Sequence, residues 1–266
     1  MRIAAFFMPI FALLAGAVGF YIRLLEVWNV FESYTGLPLR GMSETYTLMA
    51  VSAVFLILVL IFSIQVSAKH TARNGFENAF GTEPLTYPSS FVIIGIIWFG
   101  ATVKHFLDVN ATGVLPATEL FFSIFSALSA VSVALFAIEM FQDPQRKSVF
   151  ALSIIPTLFM CFWLIFLYRQ NASNPVLLGY AYHCLAIIAS ALGFYFTSGF
   201  LFNKPAPGKT IFCYFAAIYF CFVTLADNHT LMIKIIISSI LAMNVIYCSK
   251  LLRHLHRKEL PINQNE

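Results

Sequence analysis

Eight long apolar stretches restrict how this chain can fold more than any other feature. They lie at 3–25, 45–67, 89–108, 117–141, 148–168, 177–201, 210–227 and 230–251. Each has the length of about 18 residues or more that an α-helix needs to cross the hydrocarbon core of a bilayer. Because the apolar residues are continuous and do not alternate with polar ones, the pattern favours helices over the strands of a membrane barrel.

The composition also indicates a lipid environment. Hydrophobic residues make up 60% of the 266 positions and charged residues only 11%, whereas soluble domains contain about 25% charged residues. A soluble fold of this length could not bury so much apolar surface. We therefore expect an all-α polytopic transmembrane helix bundle in a single domain, 1–252, followed by a basic and then polar cytoplasmic tail, 253–266. No pattern typical of nucleic-acid binding is present.

The distribution of Lys and Arg in short loops predicts the orientation of the bundle. Most basic loop residues fall on one side, namely Lys69, Arg73, Arg146, Lys147, Lys204, Lys209, Lys250, Arg253, Arg257 and Lys258. This bias predicts that both termini are cytoplasmic, and we expect a multi-pass protein of the plasma (cytoplasmic) membrane. We call the expected cytoplasmic end of the bundle the inner end and the opposite end the outer end.

The first apolar stretch has some features of a signal peptide. Arg2 precedes it, and Ala15-Gly16-Ala17 resembles a cleavage site, so residues 1–17 could form a cleaved signal. However, the stretch continues through Phe20-Tyr21-Ile22, which favours a retained first span.

Similar helix ends suggest an internal repeat. Glu26 follows Arg23 by three residues, and Asp108 follows Lys104 by four, so that acid and cation share a helical face in both places. The pattern is consistent with repeated helical hairpins, an arrangement found in transporters. Aromatic residues and a cation are also common at the ends of unrelated membrane helices.

Ionisable residues are few within the spans, and most lie toward the outer end. Because charge is costly in lipid, such residues mark functional sites by default. We expect them to line a polar, outward-facing vestibule that binds a ligand. The candidate residues are Lys104, His105, Glu119, His183, Lys234, Arg23 and Glu44. For Arg23, as for Glu26, Arg169 and Asp227, we favour a position at the headgroups in weak ion pairs.

Enzyme and metal motifs are absent from the sequence. It contains no His-Glu-x-x-His, no Gly-x-Ser-x-Gly and no phosphate-binding glycine loop, so we predict no catalytic residue, metal site or cofactor. His105 and His183 fall at similar depth on different helices, and such a pair could ligate haem b or a metal, or contact a quinone. A lone membrane histidine is more often a structural, hydrogen-bonded residue.

Small residues in the third, fourth and sixth spans predict close helix packing. They are Ser123, Ser126, Ser129, Ser132, Gly95, Gly100, Gly193 and Gly199. A serine stripe could also line a substrate path, but we favour packing.

One short stretch resembles a known group of proteins. Residues 23–31, RLLEVWNVF, followed by Thr35-Gly36-Leu37-Pro38, resemble uncharacterised polytopic membrane proteins of anaerobic Gram-positive bacteria. The resemblance implies a membrane fold of about eight helices and carries no activity with it.

These features favour a small permease, or the membrane subunit of a transport complex, that binds a small polar or charged ligand. We expect membrane lipid as a partner, and partner subunits or a second copy of the chain. The first alternative is a redox membrane subunit that binds quinone or haem near the outer leaflet. The second is a structural or assembly factor, whose outer polar residues would make only rim contacts.

Overall fold

The computed structural model describes residues 2–30, 39, 42–72, 75–111, 116–172 and 176–257. Eight helices in this part of the chain are long and apolar enough to span a membrane. The α-helices are α1 (Arg2–Asn29), α2 (Ser43–Lys69), α3 (Phe76–Phe80), α4 (Thr86–Ala111), α5 (Ala117–Gln142), α6 (Lys147–Asn171), α7 (Ala181–Leu201), α8 (Pro207–Thr224) and α9 (Leu231–His254). The predicted all-α polytopic bundle is confirmed.

The observed helices agree with the predicted spans to within about four residues at each end. The sixth span begins at Ala181, because the preceding Leu177–Gly179 forms a 3₁₀ turn. The seventh ends at Thr224, which places Asp227 in the turn between α8 and α9. The eighth continues to His254, inside the segment that we expected to be tail.

Two short elements at the inner end were not predicted. The segment between the second and third spans contains the five-residue helix α3. It also contains strand β1 (His70–Thr71), which pairs antiparallel with β2 (His256–Arg257). The first described residues of the expected tail are therefore attached to the end of α2.

Six of the helices form a ring. Each helix from α4 to α9 packs against the next, and α9 also packs against α4. Outside the ring, α1 and α2 pack against α8, and α1 also contacts α9. As a result α8 is the most enclosed span. Of its 18 residues 78% are buried, compared with 28–50% of the most apolar 18-residue stretch in each of the other spans.

Helix α3 occupies the inner end of the space inside the ring. Phe76 and Phe80 are buried and stack on each other at 4.5 Å. Phe76 contacts Phe136 of α5, and Phe80 contacts Phe200 of α7. Both rings also contact Tyr247 of α9. Since its side chains contact three helices of the ring at once, α3 blocks the inner end.

Helices α4 and α5 pack closely along the predicted serine face. Ser123, Ser126, Ser129 and Ser132 are all buried. Trp98 Nε1 donates to Ser126 Oγ at 2.9 Å, and Thr102 Oγ1 lies 2.9 Å from the same oxygen. A Cβ at Gly95 would lie 2.9 Å from the carbonyl oxygen of Ala130. The packing role predicted for Gly100 is wrong, because nothing lies within 4 Å of a Cβ there.

These two glycines provide a matched test of the α4–α5 contact. Gly95→Ala is expected to lower the thermal unfolding midpoint in detergent, since overpacking costs about 1–3 kcal/mol. Gly100→Ala should leave the midpoint unchanged or raise it, because alanine is the better helix former by about 1 kcal/mol. Equal midpoints for the two variants would contradict the close approach of α4 to α5.

Candidate functional site

A fully buried arginine lies near the outer end of α1. Arg23 is 1% exposed, and Glu26, about one turn further along, is 0% exposed. Arg23 Nη1 donates to Glu26 Oε2 at 2.7 Å, and Nε donates to Asp227 Oδ1 at 2.6 Å. Arg23 Nη2 lies 3.2 and 3.3 Å from the carbonyl oxygens of Leu178 and Gly179. The guanidinium therefore connects α1 with the α8–α9 turn and with the 3₁₀ turn before α7.

The expectation that Arg23, Glu26 and Asp227 lie at the headgroups is wrong. All three are buried inside the bundle, where an unpaired charge would cost several kcal/mol. The arrangement is tolerated because every guanidinium nitrogen donates a hydrogen bond and two carboxylates surround the cation. The ring of Tyr182 adds a cation–π contact, with its centroid 5.1 Å from the guanidinium carbon.

Two histidines extend this cluster into the ring of helices. His183, in the first turn of α7, is 1% exposed, and its ring centroid lies 4.5 Å from that of His229 in the α8–α9 turn. His229 Nε2 lies 3.7 Å from Asp227 Oδ2, which also accepts a hydrogen bond from Thr224 Oγ1 at 2.9 Å. We call Arg23, Glu26, His183, Thr224, Asp227 and His229 the outer network.

Burial lowers the pKa of His229 below its usual value. The charge of Asp227 opposes this shift, while the charges of Lys234 and Arg23 add to it. Since the usual pKa of histidine is about 6.5, His229 is neutral at neutral pH.

Some polar atoms of the network have no partner in the described part of the chain. Neither ring nitrogen of His183 has a hydrogen-bond partner, and neither does Glu26 Oε1. A neutral imidazole always carries one N–H group, and an unsatisfied buried donor costs about 1–3 kcal/mol. Buried polar atoms of this kind normally bind water or a ligand.

Two small cavities follow one another along the axis of the ring. The outer one, of about 10 Å³, has His183, Ser190 and Cys221 among its lining residues. The inner one, of about 20 Å³, is lined in part by Thr197 and Ser198 and reaches α3. Successive turns of α6, α7 and α9 line both cavities. Each cavity has room for about one water molecule.

Three other predicted residues meet at a separate outer cleft. Lys104 and His105 line a cleft of about 220 Å³ between α4 and the start of α9. His105 Nε2 lies 3.3 Å from Glu119 Oε2 of α5. Lys104 is 67% exposed and pairs with Asp108 at 2.7 Å. The single vestibule expected from the sequence is therefore divided, with Arg23 and His183 in the outer network and these residues in the cleft.

The remaining two candidates belong to neither group. Glu44 is partly exposed at the start of α2, where it contacts Ser43 and Asn29. Lys234, in the first turn of α9, is half-buried. Its positive charge contributes to the lowered pKa of His229 in the outer network.

Within the described residues no group of three or more His, Cys, Asp or Glu side chains could hold a metal ion. The two histidines considered as haem ligands have different neighbours, since His105 contacts Glu119 and His183 contacts His229 and Trp163. No family model, curated protein or solved structure matches this chain.

Removing one partner of the buried arginine should destabilise the bundle. Asp227→Ala leaves Arg23 Nε and Thr224 Oγ1 without their buried acceptor, and removing one partner of a buried pair in this way costs about 3–5 kcal/mol. Asp108→Ala removes a carboxylate from the exposed pair with Lys104, for which the expected loss is below about 1 kcal/mol. Denaturant unfolding in micelles measures both values, and comparable losses would mean that Asp227 is not in a buried pair.

Proposed function

We propose that this chain is a small permease, or the membrane subunit of a transport complex, that moves a small polar ligand along the axis of the α4–α9 ring. In this proposal the outer network binds the proton that drives or gates the movement. The membrane-spanning bundle itself is established by its eight apolar helices. The observation that carries the proposal is the pair of cavities that follow one another along the ring axis, with the unpartnered ring of His183 at the outer end.

The dimensions of this axis suit a transport path. His183 and Ser198 are separated by about four turns of α7, or about 22 Å at 1.5 Å per residue. That distance is most of the hydrocarbon thickness of about 30 Å. Helix α3 blocks the inner end, and each cavity holds about one water molecule. In this proposal the described conformation is the closed one, and α3 and the outer network are the two gates.

The charge of the outer network suits proton binding. One guanidinium faces two carboxylates, and His229 is neutral at neutral pH, so the formal charge of the group is negative. A further proton would neutralise it. Glu26 Oε1 is a buried carboxylate oxygen without a partner in the described part of the chain, and it can accept one. Chains of Asp, Glu and His form the proton relays of many membrane transporters.

The burial of these residues favours transport over a purely structural role. If the chain were a structural or assembly factor, its outer polar residues would make only rim contacts at the headgroups. Instead Arg23, Glu26, His183 and Asp227 are buried at a considerable desolvation cost. A bundle held together only for assembly gains nothing from that cost, because apolar side chains of similar volume would pack as well.

A redox membrane subunit is the second candidate, and His183 is the observation that favours it. Its ring nitrogens have no partner in the described part of the chain, so one of them could bind a quinone carbonyl or a haem iron once the cavity of about 10 Å³ beside it widens. The absorbance spectrum of the purified protein, followed by solvent extraction of quinones, tests this candidate. A Soret band or a stoichiometric quinone would favour it over the permease.

Proton binding by the outer network can be measured without knowledge of the transported ligand. Proteoliposomes adsorbed on a solid-supported membrane should give a transient current when the pH is lowered, because protons enter a site within the membrane. Glu26→Gln removes a proton acceptor and retains the shape of the side chain, so the displaced charge should fall severalfold.

Glu44→Gln is the matched control, since Glu44 is a partly exposed carboxylate at the same end of the bundle and lies outside the outer network. It should give the wild-type current. A wild-type signal equal to that of empty liposomes would contradict proton coupling. Equal signals from wild type and Glu26→Gln would place the proton site elsewhere.

A further inference from the structure

A basic cleft lies at the inner end of the bundle, far from the outer network. Its volume is about 680 Å³, within the range of small-molecule sites. It lies between the last turn of α9 and the segment that follows α3. The lining residues are Gly81, Glu83, Pro84, Lys250, Arg253, His254 and His256. Four of these seven are basic side chains, and one is acidic.

The local fold positions these basic side chains. Gly81 ends α3 with a φ of +57°, and a Cβ there would overlap the ring of His254. Glycine is therefore required by both the backbone conformation and the close contact. Lys250 Nζ donates to the carbonyl oxygen of Gly81 at 3.1 Å, which fixes the lysine at the wall of the cleft. Pairing of β1 with β2 then directs the chain after α9 back across the inner end.

The positive charge of the cleft is poorly compensated. Among the described residues, no carboxylate lies within 4 Å of Lys250, Arg253 or His256 in an ion pair. A site with this surplus of donors and positive charge attracts an anion.

The position of the cleft favours a lipid as the source of that anion. One wall belongs to the end of the span α9, and the other to the segment between α3 and the span α4. The cleft therefore opens at the level of the headgroups. Leu85, beside Pro84, is 69% exposed and offers an apolar surface next to the charges. Basic pockets at the cytoplasmic ends of membrane helices bind anionic headgroups in this way.

We propose that the cleft binds the phosphate headgroup of an anionic phospholipid of the inner leaflet. Arg253 and His256 contact the phosphate, Lys250 and His254 form the wall behind it, and Leu85 contacts the apolar part of the lipid. This site is independent of the transport proposal, because it involves none of the residues of the ring axis or the outer network.

Native mass spectrometry of the delipidated full-length protein in detergent tests this proposal. The probes are short-chain phosphatidylglycerol, short-chain phosphatidylcholine and inorganic phosphate. One phosphatidylglycerol should bind at least about fivefold more tightly than phosphatidylcholine, as expected for a basic residue worth about 1 kcal/mol near a lipid phosphate. Arg253→Gln should remove that preference.

Lys147→Gln is the matched control, since it also removes one exposed positive charge at the inner end but lies outside the cleft. It should retain the preference. Equal binding of the two lipids, or equal loss in both variants, would overturn the proposal. Tighter binding of inorganic phosphate than of phosphatidylglycerol would also overturn it, because the anion would then come from water. Arg253 is exposed, so its substitution should leave the unfolding midpoint unchanged.

Discussion

The cost of burying charge in a low-dielectric interior is the constraint that organises the outer half of this protein. Arg23 is buried, and its guanidinium nitrogens donate to acceptors on three different segments. Because Arg23 is only 1% exposed, the fold must supply the partners of its charge. The entry into α7 and the turn between α8 and α9 are thereby held against α1.

The contacts of Arg23 continue from α1 into the ring of helices through Asp227. Asp227 receives the guanidinium on one side and contacts Thr224 and His229 on the other. His229 in turn packs on His183, which lines the outer cavity. The outer network therefore lies at the outer end of the axis, whereas the aromatic side chains of α3 fill the inner end. The outer end of the axis is thus occupied by polar and charged side chains, and the inner end by aromatic ones.

The sequence predicted the spans well because span length and hydropathy are local properties. It also placed Arg23 and Glu26 on one helical face from their spacing alone. It could not identify Asp227 as their partner, since the pair is separated by 204 positions and forms only through tertiary packing. The contact of His183 with His229 was missed for the same reason. Gly100 was assigned a packing role because composition does not indicate which face of a helix meets a neighbour.

The claim that the cost of burying charge organises the outer half of the protein is tested most directly by replacing the three buried charges together. Arg23→Met, Glu26→Leu and Asp227→Leu in one chain should unfold near the wild-type midpoint, because apolar side chains of similar volume can replace a buried ion cluster at little cost. Arg23→Met alone should unfold at a much lower midpoint, since it leaves two carboxylates close together in the interior. If the single replacement is as harmless as the triple one, Arg23 is not buried between these carboxylates.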